Sequence, residues 1–532
     1  MNLEPSFSRL DRRFGEFVER LHGSVSPGLR SAAMLVSRRR AEGHICVPVE
    51  DLPELPRTSK VIGAPGEFAP LVLDRSRLYL RRYWEYEQQL ARAIRDRTAA
   101  KSPKQNRKIS DQQQLAATNA VTRNFSVITG GPGTGKTHTV MAILRLLREQ
   151  AGGEGLKIAL AAPTGKAAAR LTESLRAGAQ QHEATTLHRL LGTIPDSPYF
   201  RHNAERPLTA DVVIVDEASM IDLALMAKLV DAVPLTSRLI LLGDRDQLAS
   251  VEAGNVLADI CHAAESAEAD APLRDAVVEL RRNYRFAETG GIYTVSTAVN
   301  AGDADATVAA LREASDDEVG WRGLPPAPNL TGALRERIVG GFRSYLEAAD
   351  PSAALTQLAQ FRILCAVRHG PFGVENLNAL AEEILADAGL LTARTGWYRG
   401  RPVIITRNDY NLQLFNGDSG IILPDSEAGG ELRAFFLSAE GKLRRFLPPR
   451  LPLHETAFAL TVHKSQGSEF DRVLLMLPDH DGPVLTRELL YTAITRARSG
   501  VELWANEEVL RAAVLRRTVR TSGLRDALGV TQ

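Results

Sequence analysis

The chain has 532 residues, too many for one ordinary hydrophobic core, so about two to four domains are expected. Hydrophobic residues make up 44% and charged residues 24%, which excludes a disordered or fibrous polymer and places the chain among globular proteins. The 65 basic side chains nearly balance the 64 acidic ones, leaving +1, so any nucleic-acid contact must use local clusters rather than bulk charge.

Cys46, Cys261 and Cys365 lie far apart with no Cys-x-x-Cys pair, which argues against a zinc or iron-sulfur framework and suits buried thiols in a reducing compartment. The N-terminus is charged from Glu4 onward and lacks the apolar core of a signal peptide. No apolar run approaches the roughly 18 residues of a spanning helix, so a cytoplasmic protein with no membrane contact is expected.

In chain order, residues 1–104 read as a mainly helical N-terminal domain. Leu10, Phe14, Phe17 and Val18 form an amphipathic stripe, and a second helical pattern runs from Arg75 to Arg97. Between them, Glu42-Gly-His-Ile-Cys-Val-Pro48 is a turn-bounded apolar stretch that reads equally as a strand or as core packing. The basic run Lys101 to Lys108, with Pro103 inside it, reads as a linker and puts a boundary near 104.

From Ser126 onward short apolar runs alternate with helical stretches: Ser126–Thr129, Ile158–Ala161, Val212–Val215 and Leu239–Leu242. Such alternation predicts a parallel sheet with helices on both faces. After Arg285 the chain is helical and Ala-rich, and strands return at Ile363–Ala366 and Val473–Met476, which gives a second α/β lobe. The expected extents are 105–355 for the first lobe and 356–532 for the second. Residues 395–455 hold short β-like pieces, Pro402–Thr406, Gly420–Leu423 and Leu432–Phe436, and predict a small barrel-like insertion. Trp397, Tyr398 and Tyr410 in this region suit base stacking and core packing equally.

The sharpest chemical signal is Gly130-Gly-Pro-Gly-Thr-Gly-Lys136-Thr137, a complete G-x-x-x-x-G-K-[ST] between a predicted strand and a predicted helix. Glycines at 130, 131, 133 and 135, with Pro132 and Thr134 between them, let backbone N–H groups converge on phosphate oxygens at a helix N-terminus. Lys136 is expected to reach the β- and γ-phosphates and the Thr137 hydroxyl to ligate Mg²⁺, which makes ATP and Mg²⁺ the expected cofactors. Asp216 emerges at the end of an apolar strand and suits a Mg²⁺ ligand, and Glu217 beside it suits the base for an attacking water. Gln247, in Gly243-Asp244-Arg-Asp246-Gln247, suits either a γ-phosphate contact or a polar loop position.

These segments resemble superfamily 1 helicases, and within them the RecD (alpha) subunits of RecBCD-type enzymes. The resemblance rests on ordered motifs: Gln113 before the P-loop, Ala162-Pro-Thr-Gly-Lys166, Thr186-Leu-His188-Arg-Leu-Leu, Val215-Asp-Glu-Ala-Ser219, Gly243-Asp-Arg-Asp-Gln247 and Asn283-Tyr-Arg285. Two more follow, Thr461-Val-His-Lys-Ser-Gln-Gly467-Ser-Glu469 and Tyr491-Thr-Ala-Ile-Thr-Arg496-Ala-Arg. It implies two RecA-like lobes with ATP between them and an adenine-side contact at Gln113. It also implies nucleotide contacts at Gly467 and Glu469, and charge-stabilising arginines at Arg285 and Arg496. Single-stranded DNA at a duplex end would lie on Thr164, His188, Thr461 and His463, with 5′-to-3′ movement. Residues 42–48 resemble the segment by which this family docks on its large partner, so RecB-like and RecC-like subunits in a heterotrimer are expected. Two other readings remain open at this point: an RNA helicase or remodeller of the same superfamily, and a non-catalytic regulatory subunit. A metal-dependent nuclease centre is not evident beyond the ATP site.

Overall fold

The computed structural model describes residues 7–56, 59–99, 111–150, 155–178, 182–195, 197–268, 271–287, 289–348, 350–392, 395–409, 411–438 and 441–529. The linker run Lys101 to Lys108, with the boundary near 104, and Tyr410 lie outside them.

The N-terminal helices Arg9–His22 and Pro27–Ala41 pair through Val18, Leu29, Ala32, Ala33 and Val36. The first starts with a reciprocal cap, in which Ser8 Oγ accepts from Asp11 N at 3.2 Å and the Asp11 carboxylate accepts from Ser8 N at 2.8 Å. The rest of this domain is less helical than its periodicity predicts. Cys46–Pro48, Arg77–Leu80, Leu71–Asp74 and Ile62–Gly63 form a four-stranded sheet in that order, so the 42–48 segment supplies a strand. The long pattern from Arg75 to Arg97 divides: Arg75 and Ser76, with φ of 45° and 60°, turn the chain between two strands, and the helix begins only at Arg81. Leu78 and Tyr79 point to opposite faces, Leu78 into the core under the two helices and Tyr79 into the first lobe's core, as strand alternation requires. A strand buried on both faces carries no polar alternation, which is why it reads as helix from sequence.

The first lobe has a six-stranded, wholly parallel sheet in the order Val277–Leu280, Phe125–Gly130, Arg238–Gly243, Val212–Val215, Ile158–Ala162, Ala184–Thr186. Val212 to Val215 are fully buried, as expected of a central parallel strand covered on both faces. The second lobe has a five-stranded parallel sheet in the order Val319–Arg322, Ala497–Trp504, Phe470–Met476, Phe361–Cys365, Ala459–Thr461. The predicted insertion is an antiparallel five-stranded sheet running from Arg401 to Thr456. There Tyr398 is buried and bonds Glu382, while Trp397 stacks on His454 at 5.0 Å.

Two expected boundaries move. The strand Val319–Arg322 belongs to the second sheet, and Ile292, Val295 and Val299 share a core with Leu489, Leu490 and Ile494. The second lobe therefore starts near residue 291 rather than at 356. The last helix, Leu524–Gly529, joins the first lobe's core instead of the second's, through Leu524, Ala527 and Leu528. The chain thus returns across the lobe junction after building the second sheet. All three cysteines are free and buried. No helix among the described residues is long and apolar enough to cross a membrane.

Candidate active site between the two lobes

The strand Phe125–Gly130 runs into the P-loop, and the helix Lys136–Glu149 follows with Val140, Ile143, Leu144 and Leu147 buried beneath it. Gly133 and Gly135 adopt φ of 84° and 85°, a region costly for any residue with a Cβ. Space forbids a side chain as well: a Cβ on Gly133 would come within 2.5 Å of the Arg285 Cβ, and one on Gly135 would collide with the Gln113 amide. The loop is held by Thr134 Oγ1 donating to Gly131 O (2.8 Å), Asn283 Nδ2 donating to Pro132 O (2.9 Å) and Tyr284 N donating to Gly133 O (2.8 Å). Lys136 Nζ donates to Gly130 O and Gly131 O at 2.6 and 3.0 Å.

The loop opens on a cavity of about 270 Å³ whose lining includes Lys136, Thr137, Asp216, Glu217, Gln247, Arg285, Glu469 and Arg496. Residues of both lobes are therefore assembled around one space. Asp216 ends its strand, and Glu217 takes a left-handed backbone (φ 53°) with its N–H donating to Asp216 Oδ1 at 2.8 Å. A strained non-glycine backbone next to two carboxylates is a common sign of a working site. Burial, and then the neighbouring Glu217 charge, push the Asp216 carboxyl up to about 6 against the pull of Lys136. Gln247 is buried and its Nε2 donates to Asp244 Oδ2 at 3.0 Å; Tyr491 of the second lobe donates to the same oxygen at 3.0 Å. Burial holds Asp244 up to about 6 as well, with Lys136 opposing.

Arg496 is 1% exposed, its Nε donating to Thr492 O and its Nη1 to Ser468 O, both at 3.2 Å. Glu469 is paired with Arg170, with Arg285 Nη1 at 2.8 Å and with Arg498 Nε at 3.3 Å. Burial would raise the Glu469 carboxyl, but the charges of Arg170, Arg285 and Arg496 outweigh it and hold it at about 2. Gly467 does not line the cavity; it sits against Thr164 and Ala167 of the first lobe.

A second cavity of about 370 Å³ continues past the loop, lined by Gln113, Thr134, Leu280, Arg282 and Tyr284 among others. Gln113 Nε2 donates to Thr134 O at 3.1 Å, and the Arg282 guanidinium lies 5.1 Å from the centre of the Tyr284 ring. Arg170 and Tyr284 are among the lining residues that the motifs do not single out as site residues. Arg170 was findable from helical spacing, since Ala167, Arg170, Leu171 and Ser174 stand at i, i+3, i+4 and i+7 on one face and all reach the cavity.

The residues expected to meet a nucleic acid do not line the cavity; they stand at the carboxyl ends of strands in both sheets. Thr164 caps the helix Gly165–Ala177, accepting from Ala167 N at 3.2 Å, and Thr461 Oγ1 accepts from Lys464 N at 3.2 Å. His188 meets Phe200 edge-on at 5.6 Å. Burial lowers the imidazoles of both His188 and His463.

Residues 113–253 match an AAA domain model, 456–503 a UvrD-like helicase C-terminal domain, and 4–59 the RecBCD enzyme subunit RecD N-terminal domain. The RecBCD enzyme subunit RecD of Mycolicibacterium smegmatis is 38% identical across 99% of this chain and 97% of its own length. That of Mycobacterium tuberculosis is 41% identical over 98% of this chain and 94% of its length. The ATP-dependent RecD2 DNA helicase of Deinococcus radiodurans is 33% identical over 86% of this chain, which spans 59% of that protein. The chain belongs to the RecD family of helicases.

Proposed function

We propose that this chain is an ATP-hydrolysing motor that moves 5′-to-3′ along single-stranded DNA at a duplex end, as the alpha subunit of a RecBCD-type helicase-nuclease in the cytoplasm. The observation that carries the reading is the composite cavity, with Lys136, Thr137, Asp216 and Glu217 on the first lobe and Arg496 on the second. Gly130 to Thr137 cradle the phosphates, and Gln113 with Tyr284 borders the base. Thr137 and Asp216 offer hard oxygen donors on one cavity wall, a set that fits Mg²⁺, which when bound offsets charge on the phosphoryl oxygens. Glu217 accepts the proton of the attacking water and Gln247, anchored to Asp244, orients it. Arg285 and Arg496 stabilise charge on the transferred phosphoryl group, and because Arg496 comes from the second lobe, hydrolysis depends on lobe closure.

Thr164 and His188 on one sheet, and Thr461 and His463 on the other, suit a strand lying across both lobes and held through its phosphates. Alternating closure and release then moves the lobes along it. The direction rests on the family resemblance. Docking on a RecC-like or RecB-like subunit is supported by the N-terminal helix, which leaves Leu10 70%, Phe17 47% and Leu21 48% exposed along one side. The test is ATP turnover by the chain, alone and with partner subunits, with single-stranded DNA or a matched RNA, beside Lys136→Gln, followed by unwinding of 5′-tailed and 3′-tailed duplexes. Stimulation by DNA, abolished in the variant, and a preference for 5′ tails are expected. Stimulation by RNA alone, or by neither with partners present, would overturn the reading.

A further inference from the structure

A further cavity of about 170 Å³, lined by Arg245 and Asp246 next to Asp244, is built by the first lobe, the second lobe and the returning C-terminal segment. Its walls carry five arginines against three carboxylates, Asp246, Asp259 and Glu488. Those carboxylates are engaged: Asp259 pairs with Arg525 and Asp246 with Arg245, which also reaches Glu265 and Glu279, while Glu488 accepts from Thr518. Arg487, Arg517 and Arg520 remain. Arg487 bonds a backbone carbonyl, Arg517 bonds His262, and Arg520 bonds the carbonyls of Glu252 and Gly254. Among the described residues none of the three has a carboxylate within ion-pair distance.

We propose that this cavity binds a phosphate-type oxyanion, held between Arg487 of the second lobe and Arg517 and Arg520 of the C-terminal segment. Guanidinium forks match phosphate oxygens in charge and geometry, and an anion here supplies the counter-charge that these three arginines lack. Consistent with that need, burial holds the Arg520 guanidinium below its ordinary range, with only Glu252 opposing. The position gives binding a consequence. Arg487 opens the helix Arg487–Ile494, which carries Tyr491 to Asp244 and leads into Arg496, while Arg245 and Asp246 directly follow Asp244. An anion clamped here ties the helix that presents the cross-lobe arginine to the segment anchored on the first lobe, and so favours the closed arrangement.

The anion has two possible sources with the same chemistry, a phosphodiester of the tracked strand or free phosphate. Arg520 is close enough to His463 to add to the burial that lowers that imidazole, which brings the cavity near the expected DNA path. Phosphate binding itself does not depend on the DNA assignment.

The test uses the full chain carrying Lys136→Ala, which weakens the P-loop as an anion site so that the arginine variants report on the proposed cavity. Inorganic phosphate, titrated at constant ionic strength against chloride, should raise Tm saturably. Arg517→Gln, at an exposed position outside the core, should weaken that binding several-fold, and Arg487→Gln with Arg517→Gln at least about tenfold. A Tm that responds to phosphate no more than to chloride, or a response the arginine variants leave unchanged, overturns the proposal. The same variants in the otherwise native chain identify the source. If it is the strand, affinity for single-stranded DNA falls, its salt dependence flattens by about one or two phosphate contacts, and DNA displaces phosphate. If it is free phosphate, DNA affinity stays unchanged while phosphate binding is lost.

Discussion

Arg170 of the first lobe and Glu469 of the second form an ion pair across the nucleotide cavity, with the Arg285 guanidinium 2.8 Å from the same carboxylate oxygen. The carboxylate is nearly buried, so it neutralises several cations where water cannot. Removing it while leaving the arginines strands positive charge that solvent only partly offsets, because the Arg170 and Arg285 side chains are 34% and 26% exposed. Glu469→Gln should therefore destabilise the chain in urea unfolding, and adding Arg170→Gln should recover part of the loss. If the double variant is no more stable than the single one, the pair is not what Glu469 contributes.

Glu469 also has a defined acid dependence. Its folded carboxyl is held at about 2, below the ordinary 4.5, so its contribution is present above about 4.5 and is lost as pH falls through about 2. That contribution is on the order of 3 kcal/mol. The difference in unfolding free energy between native chain and Glu469→Gln should shrink across this window; a constant difference from pH 5 to pH 2 would contradict the assigned cause.

Glu87 has the opposite sign. It is 1% exposed, its Oε2 accepts from Gly523 N at 2.8 Å, and burial pushes its carboxyl up to about 7. The bond from Gly523, the neighbouring Tyr79 hydroxyl and the charge of Arg77 oppose that rise, while Asp259 adds to it. Its contribution is full below about 4.5 and is lost as pH rises through about 7. Glu87→Gln should raise Tm relative to the native chain at pH 8 and change it little at pH 4. Gly523→Ala should lower Tm at both, because a Cβ there would meet Glu87 Oε1 at 2.7 Å.

Glu217→Gln keeps the phosphate cradle and removes the proposed base, so nucleotide binding should persist while turnover falls at least about 100-fold. Equilibrium titration with a fluorescent nucleotide beside steady-state hydrolysis separates the two, and undiminished turnover would exclude Glu217 as base.

Arg496→Ala should lower kcat by about 10³-fold with little change in nucleotide affinity, as expected of a charge met only in the transition state. Equal losses in kcat and affinity would assign Arg496 to ground-state binding instead.

The amino-acid sequence by itself determined the nucleotide chemistry. Gly130 to Thr137, Asp216 and Glu217 are local: a glycine loop between strand and helix, and carboxylates at a strand end, follow from neighbours in the chain. The apolar runs of the central parallel strands are legible for the same reason, because burial on both faces leaves an unbroken hydrophobic string. Tertiary structure alone decided what depends on distant partners. Arg170 looks like any helix-surface arginine until Glu469 arrives from the other lobe. Val319–Arg322 becomes a second-lobe strand only by pairing with Ala497–Trp504, and the last helix is claimed by the first lobe because its apolar face fits beside Ile260 and Leu90 there. Short edge strands and returning segments carry too little periodicity to name their own neighbours. Their place is set by which buried surface they complete, and that is a property of the folded chain.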